Sequence, residues 1–271
     1  MNRRYRFEWV PCRRTMGRII MKWGGGLISD KSSLCTPYID RISALANCAS
    51  TLVELGYNIV IVHGAGSFGH IRAREFRLAE GNIPEFDQSE AISMVRNDMD
   101  ALHQMVLDSL SNLNTYSHPP REFVEGTGPS FSGELERFLA PGIHVTFGDV
   151  VNCKPPEDFG ILSGDDLMLR LSLELPDVTH VIFAMGETPG LMTNPGPSGE
   201  LISEWSSDVG FTGQHSEEID VTGGIFLKAK RAGAISEHVE NVWFVDGVHP
   251  SRILEVINEG SSVGTRIRKT Q

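Results

Sequence analysis

Three lysines stand beside glycine-rich segments and could neutralise phosphate groups. Lys22 precedes the three consecutive glycines at residues 24–26, Lys31 follows them, and Lys228 comes shortly after the Gly-Gly pair at 223–224. Glycine lets backbone N–H groups approach an anion closely, and a lysine ammonium supplies the charge that a polyphosphate needs. The first loop is not a P-loop, and no dinucleotide-binding GxGxxG follows its strand. Taken alone, this loop is equally compatible with a tight turn.

A second glycine-containing loop, residues 63–70 (HGAGSFGH), follows the apolar run NIVIV. Its glycines fit a nest of backbone amides that accepts an anion. His70 is predicted at the start of the next helix, where the helix dipole favours negative charge, so it could help to hold a second phosphoryl group. His63 is instead predicted to be a structural residue that forms hydrogen bonds at the strand end.

Two more loops carry acidic residues or a lysine. Residues 148–150 (GDV) precede a predicted hairpin, after which residues 163–166 (SGDD) open a helix. The serine and the aspartates are natural helix caps, but an aspartate placed between lysines could also orient them by charge-assisted hydrogen bonds. Residues 220–224 (DVTGG), with Lys228 one turn later, indicate either a capped helix start or another phosphate-facing loop.

The elements that must position these loops alternate along the chain. Apolar periodicity predicts strands over residues 18–23, 58–62, 143–147, 180–184 and 242–245, and helices over 38–55, 87–114, 167–175 and 252–258. Such alternation indicates a mostly parallel sheet with helices on both faces, and in open sheets of this kind ligands bind at the carboxyl ends of the strands. Residues 190–219, rich in Gly, Pro and Ser, are predicted to form a long loop or a partly ordered lid.

Composition excludes several classes of protein. The 271 residues are 40% apolar and 22% charged, which is typical of a globular domain with a substantial core. A net charge of -11 argues against general nucleic-acid or anionic-membrane binding, and no apolar run approaches the ~18–20 residues of a membrane span. Four cysteines without metal-ligand spacing favour a reducing, cytoplasmic location. Residues 1–17, rich in arginine, are predicted to be a disordered extension or a misplaced start rather than a functional arm.

The loops are specific when they are taken together and in order. The set KxGG…K, HGAGSFGH, GDV…SGDD and DVTGG…K resembles the amino-acid kinase superfamily and, within it, the isopentenyl phosphate kinases, over residues 18–268. His70 is the sharpest sign, although fosfomycin kinases have a similar histidine. The runs ILSGDDLMLRLS and DVTGGIFLK look more like the isopentenyl phosphate group. The chain departs from the pattern at Gly26, where a serine is usual, and at residues 185–192 (MGETPGLM), where the family has a TDVDG-like run.

The resemblance implies a fold and an activity. The fold is an open αβα sandwich forming a single domain over residues 18–271, with an acceptor lobe at about 18–165, a nucleotide lobe at about 166–271 and a homodimeric assembly. The activity is phosphorylation of isopentenyl phosphate, or a related monophosphate, by ATP in an alternative mevalonate route. Mg²⁺ would be carried by ATP, with no metal site on the protein. The alternatives are a fosfomycin kinase or other small-molecule kinase of this fold, and a non-catalytic nucleotide sensor; the three lysines argue against a sensor.

The resemblance also implies roles for particular residues. The catalytic set is Lys22, Lys31, His70, Asp165 and Lys228. The residues implied to bind ATP are Lys22, Gly24, Gly25, Gly26, Gly66, Gly186, Gly224 and Lys228. Those implied to bind the acceptor are Ala65, Gly66, Gly69, His70 and Gly164.

An isopentenyl tail has no polar atoms, so its pocket must be apolar. The wall beyond His70 is predicted to come from the helix that starts there and from the long helix after residue 87. Both supply apolar side chains, each of which, taken singly, is more often a core residue. They are Ile71, Phe76, Leu78, Ile83, Met94, Met99 and Met105.

Overall fold

The fold combines one large and one small sheet with helices on both faces of the large one. The structure, a computed structural model, describes residues 15–186, 188–194, 199–209 and 224–270. The helices are α1 (Gly25–Ile28), α2 (Ile39–Glu54), α3 (Gly66–Glu75), α4 (Ser89–Ser109), α5 (Gly164–Glu174), α6 (Gly224–Ser236) and α7 (Ser251–Glu259). The strands are β1 (Arg18–Trp23), β2 (Asn58–His63), β3 (Thr115–Ser117), β4 (Val124–Glu125), β5 (Ser132–Gly133), β6 (Ile143–Phe147), β7 (Asp149–Asn152), β8 (Phe159–Leu162), β9 (Val178–Met185), β10 (Glu204–Trp205), β11 (Asn241–Asp246) and β12 (Gly264–Ile267).

The large sheet has eight strands in the order β10-β12-β11-β9-β1-β2-β6-β3, and each neighbouring pair is parallel except β11 with β12. This confirms the predicted mostly parallel αβα sandwich. Strand β1 lies near the middle, with β2 on one side and β9 on the other. A crevice at the carboxyl end of such a central strand is where open α/β sheets bind ligands.

The small sheet has the order β5-β4-β7-β8, and its β7 and β8 form the predicted antiparallel hairpin. Strand β7 follows β6 of the large sheet after the single residue Gly148. The hairpin therefore begins at the carboxyl edge of the large sheet, where the predicted ligand loops lie.

Alternation along β1 divides its side chains between two cores. Ile19, Met21 and Trp23 are buried in the core that contains residues of α2 and α4. Ile20 is buried in the opposite core, which contains residues of α5 and α6. Successive strand side chains point to opposite faces, so Lys22 shares the face of Ile20 and is directed towards α5.

The predicted elements are present with shifted ends. Helix α5 begins three residues before the predicted residue 167, because the Ser163 hydroxyl accepts a hydrogen bond from the backbone N–H of Asp165 at 3.1 Å and caps the helix there. The prediction that 190–219 is a loop is wrong for part of it, since β10 pairs with β12. The predicted extension at 1–17 and the loop at 220–224 fall largely outside the described residues. Within those residues, no helix has the length and apolarity that crossing a membrane requires.

Candidate active site

A cleft of about 180 Å³ opens at the carboxyl ends of β1 and β2. Twelve of the residues predicted for the site line it: Lys22, Gly24, Gly25, Gly26, Lys31, Ala65, Gly69, His70, Gly164, Asp165, Gly186 and Lys228. Two of the predicted residues, Gly66 and Gly224, are not among the lining residues. Gly66 is buried behind Gly25, and Gly224 is the first residue of α6.

The first two glycine loops are packed main chain against main chain. A Cβ atom on Gly25 would lie 2.4 Å from the Gly66 nitrogen, and one on Gly64 would lie 2.4 Å from the Gly25 nitrogen. Gly66 has a φ of +49°, in the left-handed region that favours glycine. The Ser29 hydroxyl joins the loops, because it donates to the Gly25 carbonyl at 2.9 Å and accepts from the Ser67 N–H at 3.0 Å. The helix starts of α1 and α3, whose first N–H groups lack intrahelical acceptors, are thereby held side by side.

The Asp165 carboxylate lies between two lysine ammonium groups. Lys22 Nζ bonds to its Oδ1, and Lys228 Nζ lies 2.9 Å from its Oδ2. The side chains of Lys22, Asp165 and Lys228 are only 8%, 4% and 16% exposed. Burial by itself would raise the pKa of Asp165, but the charges and hydrogen bonds of the two lysines outweigh it and lower the pKa to about 2. At neutral pH the cluster therefore carries one excess positive charge.

The third lysine, Lys31, lies over the glycine turn. A Cβ atom on Gly26 would be 2.5 Å from the Lys31 Cε, so the space where the family usually has a serine is taken by a flexible lysine side chain. Gly186, at the end of β9, closes the other side, because a Cβ there would lie 2.6 Å from the carbonyl oxygen of Gly26. Glycine at 26 and 186 therefore lets the turn after β1, the Lys31 side chain and the end of β9 lie in contact within the cleft.

The two histidines of the second loop lie in different surroundings. His63 is fully buried, with its Nε2 3.1 Å from His103 Nδ1 and its ring stacked on Phe147. Burial, reinforced by the His103 charge, lowers the pKa of His63 well below its usual value, which suits a neutral structural residue. His70 lines the cleft and is half-buried, although it is the fifth residue of α3 rather than the first.

The far end of the cleft is apolar, but its wall differs from the predicted one. Of the seven predicted wall residues only Met99 lines the cleft, and Leu78 is instead fully buried in the core. The apolar lining also includes Ala73, Val95, Val150 and Ile161.

Helical periodicity explains this error and could have avoided it. Val95 lies one turn from Met99 and shares its face, whereas Met94 and Met105 lie about 140° and 120° around the helix from Met99. By the same rule Ala73 lies one turn after Gly69. Val150 and Ile161 are paired across the β7–β8 hairpin, a contact that depends on strand register.

A buried carboxylate borders this apolar end. Asp149, at the start of β7, has a side chain with 0% exposure and lies 3.0 Å from Arg121 Nη1. Its Oδ1 also accepts a hydrogen bond from the Val150 N–H at 2.8 Å. Burial raises the pKa of Asp149, although the Arg121 charge opposes the rise. No group of three or more His, Cys, Asp or Glu side chains in the described part of the chain could hold a metal ion.

The sequence was compared with known families and proteins. The sequence profile of the amino acid kinase family matches residues 17–246. The chain belongs to this family. It is 32% identical over 254 residues to an isopentenyl phosphate kinase of Thermoplasma acidophilum, covering 92% of this chain and 100% of that protein. It is 28% identical over 265 residues to an isopentenyl phosphate kinase of Methanothermobacter thermautotrophicus, covering 92% of this chain and 98% of that protein.

The three-dimensional comparison agrees with the sequence comparison. A crystal structure of the T. acidophilum isopentenyl phosphate kinase product complex superposes with a TM-score of 0.76 at 28% identity, covering 93% of this chain and 100% of the other. The resemblance to isopentenyl phosphate kinases that the motifs indicated is thus confirmed.

One end of the cleft departs from the usual motif of the amino acid kinase family. Met185, Gly186 and Thr188 line it there, in the segment that replaces the TDVDG-like run. The Thr188 hydroxyl is buried and has no hydrogen-bond partner among the described residues. This end therefore offers an unsatisfied polar group beside the glycine turn.

Proposed function

We propose that this protein transfers the γ-phosphoryl group of ATP to isopentenyl phosphate, forming ADP and isopentenyl diphosphate for isoprenoid biosynthesis. One observation carries the proposal: a single cleft joins a lysine-rich end to an apolar end. The first suits the phosphates of a donor and an acceptor, and the second suits a hydrocarbon tail. The two relatives compared above, which are isopentenyl phosphate kinases, support the same acceptor.

The glycine turn after β1 and the lysines form the donor end. Gly24, Gly25 and Gly26 would cradle the β- and γ-phosphates, and the close packing of Gly25 against the Gly66 backbone would hold this turn in place. Lys22 and Lys228 would stabilise the charge of the transferred group. Gly186 and Gly224 would lie along the nucleotide. Mg²⁺, bound to the nucleotide phosphates, would supply further neutralisation of the leaving diphosphate.

The second glycine loop forms the acceptor end. His70 would bind the acceptor phosphate together with backbone groups of Ala65, Gly66 and Gly69, and Gly164 would approach it from α5. A phosphate monoester has a second pKa of about 6, so its attacking oxygen is already ionised at neutral pH and needs no general base. The barrier is then the approach of two polyanions, which positioned cations lower.

Two further side chains complete the catalytic set. Lys31, exposed beside Gly26, would reach between donor and acceptor and stabilise the transition state. Asp165 would hold Lys22 and Lys228 at a fixed separation, because its carboxylate accepts hydrogen bonds from both ammonium groups. Side chains ordered before substrate arrives need no reorganisation during the reaction.

The apolar end favours isopentenyl phosphate over other acceptors of this fold. Each buried methylene contributes roughly 0.8 kcal/mol, so a five-carbon tail contributes several kcal/mol of binding. The side chains of Ala73, Val95, Met99, Val150 and Ile161 offer no hydrogen bond to the ring oxygen of fosfomycin or to an ammonium group. The Asp149 carboxylate that borders this end is already bonded to Arg121 and to the Val150 N–H. An acceptor carrying an oxygen or ammonium group would therefore lose hydration there with little compensation.

The lobes follow from the same placement. The apolar wall comes from residues before 166, which supports an acceptor lobe at about 18–165, and the donor end adds residues after 166, which supports a nucleotide lobe at about 166–271. The homodimer and the cytoplasmic location stay predictions from the sequence.

The test is turnover against a panel of acceptors. The purified protein with ATP and Mg²⁺ is given isopentenyl phosphate, dimethylallyl phosphate, fosfomycin or glutamate, with ADP release measured and products identified by mass spectrometry. The two prenyl phosphates should have the highest kcat/KM. A higher kcat/KM for fosfomycin or glutamate would contradict the proposal.

Two lysine variants make the panel sharper. Lys22→Ala should lower kcat far more than it lowers the melting temperature, because its charge matters most in the transition state. Lys154→Ala is the matched control, since that side chain is 82% exposed and lies on the outer part of the β7–β8 hairpin. Retention of kcat in the Lys22 variant would remove that lysine from the catalytic set.

A further inference from the structure

Two arginines tie the β7–β8 hairpin to helix α4. Arg96, on α4, donates from Nε to the Val150 carbonyl at 2.9 Å and from Nη2 to Asn152 Oδ1 at 3.2 Å. Arg121, in the short 3₁₀ segment after β3, donates to Asp149 on β7 at 3.0 Å and to Asp100 on α4 at 2.7 Å. Arg121 therefore bridges a carboxylate on the hairpin and a carboxylate on the helix.

These ties attach where the apolar end of the cleft is built. On α4 the wall residues Val95 and Met99 each precede a tied residue, Arg96 and Asp100. On β7 the wall residue is Val150, whose carbonyl accepts from Arg96 and whose N–H donates to Asp149. The α4 side and the β7 side of this apolar end are thus each held within one residue of an arginine contact.

The bridge is asymmetric in its exposure. The Asp149 side chain is fully buried, the Arg121 side chain is 21% exposed and the Asp100 side chain is 46% exposed. A buried carboxylate needs its cation, so the Asp149–Arg121 pair is part of the folded hairpin. The contact between Arg121 and Asp100 is near the surface and contributes less to stability. Its main effect is to fix the distance between the Asp149–Arg121 pair and helix α4.

We propose that Arg121 is a positioning residue which, by joining Asp149 to Asp100, sets the separation of α4 from the β7–β8 hairpin and so the width of the acceptor-tail pocket. This inference rests on the proposed function and adds a determinant of acceptor selectivity that touches neither phosphate nor tail. A pocket held at one width packs closely against a short branched tail. A wider pocket loses contacts with that tail and admits a longer tail.

Asp100→Ala is the sharpest test, because it removes both acceptor oxygens and so releases Arg121 from the helix, while the buried pair with Asp149 stays intact. Asp108→Ala is the matched control: the same truncation, on the same helix two turns later, at an exposed residue whose side chain accepts a hydrogen bond from Gln104. For Asp100→Ala we expect KM for isopentenyl phosphate to rise at least fivefold with kcat within twofold. The ratio of kcat/KM for geranyl phosphate to that for isopentenyl phosphate should also rise, and Asp108→Ala should change neither.

Arg121→Lys provides a second variant, because lysine keeps the charge beside Asp149 but cannot span both carboxylates with a planar fork. It should give the same rise in KM and in the geranyl ratio. Binding of isopentenyl phosphate without ATP, followed by calorimetry, should weaken in parallel. A merely structural role would instead lower kcat through loss of folded protein and leave KM and the ratio unchanged, which would overturn the inference.

The wild-type enzyme separates the two proposals. If it does not phosphorylate isopentenyl phosphate, both the proposed function and this inference fail. If it does, and both variants keep the wild-type KM and acceptor ratio, only the inference about the pocket width fails.

Discussion

Replacing Asp165 by asparagine should lower both stability and turnover. Burial raises the pKa of this carboxyl, but the two lysines bonded to it outweigh burial and bring the pKa from 3.8 to about 2. At 1.36 kcal/mol per pH unit, the ionised carboxylate contributes about 2 kcal/mol to the free energy of unfolding at neutral pH. Because the folded pKa is lowered, this contribution is fully present above pH 3.8 and is lost as the pH falls towards 2.

Asparagine keeps the volume of Asp165 but leaves two ammonium groups facing each other. Lys22, whose side chain is 8% exposed, then loses the carboxylate to which it bonds, and removing one partner of a buried pair costs about 3–5 kcal/mol. We expect the free energy of unfolding at pH 7 to fall by about 2–4 kcal/mol. The kcat should fall at least tenfold, because the lysines lose their fixed separation.

Urea unfolding followed by tryptophan fluorescence measures the first quantity, and ADP release at saturating substrate measures the second. Asp166→Asn is the neighbouring control, since Asp166 pairs with Arg231 at 2.7 Å and does not line the cleft. Burial raises the pKa of Asp166, and the asparagine can still accept the Arg231 hydrogen bond, so its loss of stability should be smaller. An Asp165→Asn protein with wild-type unfolding free energy and kcat within twofold would refute this account of the Lys22–Asp165–Lys228 cluster.

Four further substitutions probe the packing, the buried histidines and the pocket. Gly25→Ala should lower the free energy of unfolding by about 1–3 kcal/mol and abolish most activity, because the added Cβ would clash with backbone atoms. In Gly26→Ala the added Cβ would meet only a flexible lysine side chain, so the melting temperature of this variant should stay within a few degrees of wild type. Burial lowers the pKa of His63, and lowers that of His103 to about 4, so both favour the neutral folded form. Their contribution to the free energy of unfolding should therefore be complete above pH 6.5 and should fall below that pH by about 1.4 kcal/mol per pH unit for each histidine. His103→Gln should accordingly reduce the slope of the urea midpoint plotted against pH between 7 and 5. Met99→Gly should raise kcat/KM for geranyl phosphate relative to isopentenyl phosphate, and an unchanged ratio would show that this side chain does not limit tail length.

Much of the fold could be predicted because its signals are local. Strands β1 and β6 have the predicted bounds, since β-branched runs ended by glycine mark a buried parallel strand. The glycine loops could be placed for the same reason. The ion pair between Lys22 and Asp165 joins residues 143 positions apart, and only the motif order and the family resemblance brought them together.

The apolar wall could be predicted only in part, because two of its sides come from different elements. The α4 side was within reach, since the one-turn spacing from Val95 to Met99 selects a face that Met94 and Met105 do not share. The hairpin side was not, since Val150 faces Ile161 only through a register that the turn between them determines. Arg121 gave no signal at all in the sequence, because a single arginine after two prolines has no periodicity to identify its partners.

The position of Lys22 within β1 has a consequence for how this chain can change in evolution. Its ammonium reaches Asp165 because it is an even number of residues from Ile20 and shares that side of the sheet. An insertion or deletion of one residue within the strand would exchange the two sides, sending the lysine into the apolar layer beneath α2 and an apolar side chain towards the carboxylate. Point substitutions change this strand one side chain at a time, whereas a change in its length moves every following side chain to the other face at once. The length of β1 should therefore change more slowly in evolution than its sequence.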